Sequence, residues 1–130
     1  MGLFNKLFAK SANMSNEVRS KKYTEWDTKH GEAYFAEILE TQFSQYEIRE
    51  DIPVSELGGT DGRDYDFGLY QNGRLVAVVI LVEHNKDTNR LYRSSKDAAN
   101  KAGIPFINFY LQMQNERDYV IDRIRRFINR

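Results

Sequence analysis

The chain has 130 residues, no cysteine and a formal net charge of zero. That length suits one domain. The missing thiols exclude disulfides, cysteine-ligated zinc and a thiol nucleophile, which makes a reducing, cytoplasmic setting the expectation. Charge is unevenly spread: residues 31–66 carry two basic and ten acidic side chains, and residues 86–130 carry ten basic and five acidic.

Residues 1–26 are expected to be an amphipathic segment followed by a linker. Leu3, Phe4, Leu7 and Phe8 fall on one helical stripe, while AKSANMSNEVRSKK is polar and without apolar period. Two turns bury little area, so docking on this domain or a partner is expected rather than membrane anchoring. Lys6 stands where a myristoylation signal needs Ser or Thr.

Residues 27–130 are expected to form the folded domain. Asp27 or Thr28 is a plausible N-cap for a helix running to about residue 43, with Phe35, Ile38, Leu39 and Phe43 as its buried stripe. YEIREDIPV alternates as a strand, and its proline argues for a sheet edge or a strand end. ELGGTDGRD is a loop dense in Gly and Asp. Strands over 64–70 and 75–83 flank the hairpin signal Asn-Gly.

The apolar run at 75–82 is too short to cross a bilayer, which takes about 20 helical residues. It suits a central strand buried on both faces. Asp87 or Thr88 then caps a helix with Leu91, Tyr92, Ser95, Ala98, Ala99 and Ala102 inward and Gly103 just past its end. PFINFYL reads as a buried strand. NERDYVIDRIRRFINR reads as a last helix, with Val120, Ile121, Ile124, Phe127 and Ile128 facing the core. The pattern predicts an α/β domain with a mixed four-stranded sheet and helices on both faces, in the order α-β-β-β-α-β-α.

This order, with DFGLYQNGRLVAVVILVEH and the following AANKAGIPFINFYL, resembles the PD-(D/E)XK, restriction-endonuclease-like superfamily. Within it, the look is of the small domains related to very-short-patch-repair endonucleases. The resemblance spans residues 28–128. It implies an Asp opening the second strand and a (Glu/Asp)-x-Lys on the third, the carboxylates holding Mg²⁺ and the lysine acting at the phosphate. Asp66 matches the first Asp, and Glu32 matches the acid that many members carry on the first helix. The other two positions fall on Ile80 and Val82, which neither ligate a metal nor move a proton.

Register decides what else faces Asp66. A two-residue turn pairs Asp66 with Val79 and sets Asp64, Asp66 and Glu83 on one face, a possible metal set with Lys86 nearby. A three-residue loop instead places Asp66 on the face of Ile80, Val82 and His84. The resemblance therefore implies a nuclease fold without the usual nuclease site, binding nucleic acid or a protein partner and needing no cofactor. The alternative is an active Mg²⁺-dependent endonuclease using Glu32, Asp66, Glu83 and Lys86, with metal on Asp64, Asp66 and Glu83. A third possibility is a regulatory module that docks a partner protein.

Arg90, Arg93, Lys96 and Lys101 share the polar side of the second helix and are the candidate phosphate contacts. Asn108 is either a pocket residue or the partner of a buried backbone group. The sequence has no Gly-rich phosphate loop, dinucleotide fingerprint, GxSxG elbow or HExxH motif.

Overall fold

The computed structural model describes residues 28–83 and 86–129. The expectations for residues 1–27, including the amphipathic stripe, and the place of His84 lie outside them. Three helices and four strands follow in order. They are α1 (Thr28–Gln42), β1 (Glu47–Ile52), β2 (Tyr65–Gln71), β3 (Arg74–Val82), α2 (Arg90–Ala102), β4 (Phe106–Tyr110) and α3 (Arg117–Ile128). The sheet order is β1-β2-β3-β4; the first two pairings are antiparallel, and β3 and β4 are parallel. The α/β class and the mixed sheet agree with the sequence pattern. No helix among the described residues is long and apolar enough to cross a membrane.

The alternation of the strands splits the core into two layers. Phe67, Leu69, Ala77, Val79 and Leu81 meet Phe35, Ile38 and Leu39 of α1 and Val120, Ile121 and Ile124 of α3. Tyr65, Val78, Ile80, Val82 and Phe106 meet Tyr92 and Ala99 of α2. Central β3 thus contributes to both layers, which explains its unbroken apolar run.

Three local details depart from the sequence pattern. Pro53 and the short 3-10 turn Val54–Leu57 end β1 before the full YEIREDIPV stretch is used. Asn89 caps α2, its side chain accepting the Leu91 N–H at 2.9 Å, where Asp87 or Thr88 was expected. The last helix begins at Arg117, because Asn115 takes a left-handed conformation (φ 44°) and its side-chain amide donates to the carbonyls of Tyr110 and Met113. Gly103 closes α2 as expected.

The β2–β3 hairpin settles the register. Its turn has two residues, with Gln71 paired to Arg74 and Tyr70 to Leu75, but the ladder slips so that Leu69 pairs with Ala77 and Phe67 with Val79. Val76 is the extra residue of this bulge. The ladder with β3 stops at that pair. Phe67 lies in the α1–α3 layer while Tyr65, two residues earlier, lies in the α2 layer with Ile80 and Val82, so the strict alternation that both turn lengths presuppose does not run through Asp66.

Candidate functional site

The site is built at the start of β2, where the ladder with β3 runs out. Val78 donates to the Pro105 carbonyl and Val82 accepts from Leu111, so these residues bond toward β4. Leu81, one step out of phase, turns its N–H and C=O toward β2. Side chains complete the ladder there. The Leu81 N–H donates to Asp66 Oδ2 at 2.7 Å, and Arg63 Nη1 donates to the Leu81 carbonyl at 2.9 Å. Arg63 Nη2 then donates to the same Asp66 oxygen at 2.8 Å. A carboxylate and a guanidinium three residues apart thus supply the acceptor and donor that a longer strand would have offered.

Arg63 is held in place from both backbone sides. Its N–H donates to the Leu91 carbonyl at 3.4 Å and its carbonyl accepts from the Ser95 hydroxyl at 2.6 Å. Tyr65 donates its hydroxyl to the Ser95 carbonyl at 2.6 Å, so one turn of α2 anchors the loop and the strand that follows it. Gly62 lets the loop pass close by. It has φ 146°, and a Cβ there would stand 2.7 Å from Ser95 Oγ and 2.8 Å from Val54 Cγ1.

Around Asp66 the charge is mostly negative. Asp66 is only 8 % exposed, and burial raises its pKa against the lowering by Arg63 and the Leu81 N–H. Glu32 of α1 is pushed up to about 7, first by burial and then by the charges of Asp66, Asp51 and Glu50, with Arg63 opposing. Burial also raises Glu50, whose Oε2 is buried without a hydrogen-bond partner. The fold therefore brings Glu32 into the field of Asp66, together with Glu50, Asp51 and Arg63, which the sequence pattern did not single out.

The other candidates stand apart. Asp64 and Glu83 are exposed, and Glu83 pairs at 3.8 Å with Lys86. Among the described residues no three His, Asp or Glu side chains are placed to hold a metal ion. Ile80 and Val82 are 0 % and 1 % exposed, packed in the apolar layer with Tyr65, Tyr92 and Phe106. An acid or lysine introduced there would lose its hydration without gaining a partner.

Mg²⁺ requires near-octahedral oxygen ligands and gives up its water reluctantly. Asp66 already shares one oxygen between a backbone N–H and a guanidinium, so a cation of the protein's own occupies that carboxylate oxygen. The residues present do not fit the two-carboxylate metal centre of the PD-(D/E)XK pattern.

The four cations of α2 are all exposed. Arg90 is paired to Asp61. Lys101 borders a cavity with Asp61 and Asp97, while Lys96 borders another with Phe106 and Ile128. Arg93 and Lys96 also line a cavity of about 480 Å³ with Arg90 and Tyr92. Among the described residues Arg93, Lys96 and Lys101 form no ion pair.

On α3 the cations are largely engaged. Arg117 pairs with Glu37, Arg126 with Asp122, and Arg123 donates to Asn108 Oδ1 at 2.7 Å and to its carbonyl at 3.1 Å. Asn108 in turn donates to the Tyr92 hydroxyl at 3.2 Å, so it ties β4 to both flanking helices. No protein-family model matches the chain, and neither a curated protein nor a solved structure gives a significant match.

Proposed function

We propose that this chain is a restriction-endonuclease-like domain that binds nucleic acid without cutting it. The observation that carries the reading is the Arg63–Asp66 link across Leu81. Asp66, the acid that the resemblance assigns to the metal, serves here as a ladder acceptor neutralised by an internal cation. Ile80 and Val82 fill the remaining catalytic positions with buried hydrocarbon. Glu32, pushed up to about 7, is an acid that could take a proton there, but the site has no lysine to stabilise the charge that develops at a phosphate.

Binding rests on the excess of cations after residue 86. Arg93 and Lys96, exposed and free of ion pairs among the described residues, share one cavity wall on α2. Phosphate contacts of this kind are sequence-independent and weaken steeply with salt. The test is a titration of labelled DNA and RNA at two salt concentrations, with Arg93→Ala and Lys96→Ala beside the unaltered protein. Salt-sensitive binding that both substitutions weaken supports the reading, and no binding at low salt overturns it.

A second reading, a protein-binding domain, draws on one observation. Met113 and Tyr119 are large apolar side chains left 57 % and 53 % exposed on a single cavity. Such patches mark interaction surfaces when they are contiguous.

A further inference from the structure

Beyond the end of β4 lies a groove of about 640 Å³. Its walls include Phe109, Tyr110, Met113 and Tyr119, with Glu116 and Arg123 beside them. The rings of Phe109 and Tyr119 meet edge to face at 6.3 Å, which holds Tyr119 upright while half of it stays in solvent. The groove belongs to no part of the Arg63–Asp66 site.

The same loop that lines the groove also holds the beginning of α1. Tyr34 donates its hydroxyl to the Asn115 carbonyl at 2.9 Å. Gly31, one turn from the start of α1, is packed so closely that a Cβ would stand 2.6 Å from Leu111 Cδ2. The chain therefore enters the domain beside the groove, and 27 residues precede Thr28. Leu3, Phe4, Leu7 and Phe8 are their densest apolar group, with Met14, Val18, Tyr23 and Trp26 scattered after them. Residues 1–10 carry Lys6 and Lys10 and no acid, whereas Glu116 and Asp118 are exposed where α3 begins.

We propose that Leu3, Phe4, Leu7 and Phe8 seat in this groove of their own domain, covering Met113 and Tyr119. Nineteen residues lie between Phe8 and Thr28, and a random-coil linker of that length spans about 25 Å on average, ample for a site beside the point of entry. A tether of that length sets an effective concentration on the order of millimolar, so even a weak contact stays closed in cis. Lys6 and Lys10 complement the exposed Glu116 and Asp118, and this charge match together with the point of entry favours the segment as occupant.

The test uses the full chain and the rate at which dilute hydrogen peroxide oxidises Met113 to its sulfoxide, read by mass with free methionine as the reference. The double variant Leu7→Asp, Phe8→Asp should oxidise Met113 about fivefold faster than the unaltered chain, the protection expected when effective concentration is several times the segment's Kd. From the other side of the contact, Tyr119→Glu should speed tryptic cleavage after Lys6 and Lys10 by a similar factor. Equal Met113 rates in the two chains, or unchanged cleavage in Tyr119→Glu, would overturn the proposal. Protection of Met113 that fades on dilution would also overturn it, assigning the groove to another copy.

Discussion

Arg63 and Asp66 meet at 2.8 Å, and between them they bond both backbone groups of Leu81. The pair closes the open end of the β2–β3 ladder, and it does so with the residue that the PD-(D/E)XK resemblance would have assigned to metal. Removing the arginine leaves a buried carboxylate with the Leu81 N–H as its hydrogen-bond donor. Breaking a buried pair costs about 3–5 kcal/mol, and the partial exposure of Arg63 reduces this to about 2–3 kcal/mol for Arg63→Met. Urea unfolding measures it, and a loss under about 0.5 kcal/mol would show that the link is not structural.

Glu32 makes stability depend on pH. Its pKa is raised from 4.5 to about 7, so the fold favours the protonated acid. That contribution is complete below pH 4.5 and is lost as pH rises through about 7. Glu32→Gln, which cannot ionise, should flatten the decline over this window and unfold at higher urea than the unaltered chain at pH 8. An unchanged pH profile in the variant would place the titration elsewhere.

Gly62 precedes Arg63 at φ 146° with Ser95 Oγ and Val54 Cγ1 in the way of any side chain. Gly62→Ala should destabilise by about 1–3 kcal/mol through crowding and backbone strain. It should also loosen the strap that positions Arg63, which amide hydrogen exchange at Leu81 would report as faster exchange. Slow exchange at Leu81 in a destabilised variant would separate the two effects.

On α2, Arg93→Ala and Lys96→Ala should each lower the dependence of log K on log salt by about 1, without changing preference among sequences. Arg90→Ala should change it less, since Asp61 already holds that guanidinium. A larger effect from Arg90 than from Arg93 would move the phosphate track toward the start of the helix.

The sheet, the helices and most of their inward faces were legible because period and turn chemistry agreed, as in the Asn-Gly hairpin and the Gly103 helix end. Leu91 and Ala102, expected inward at the two ends of α2, are exposed instead. The register was not legible, since the bulge at Val76 leaves no mark in composition. Asp66 and Glu32 were visible as acids near strand and helix starts. Arg63 was hidden in a loop that reads only as Gly and Asp, and its role emerges from the α2 turn that anchors it. Two acids beyond the pattern, Glu50 and Asp51, reach Glu32 because β1 is the edge strand beside β2.

The most direct measurement is cleavage of labelled single- and double-stranded DNA and RNA with Mg²⁺ or Mn²⁺. The unaltered chain, Asp66→Ala and Arg63→Ala would be assayed in parallel with a binding titration. We expect salt-sensitive binding and no metal-dependent cleavage in any of the three. Cleavage by the unaltered chain that disappears in Asp66→Ala would contradict the account, and would mean that Glu32, Asp66, Glu83 and Lys86 work as a nuclease site.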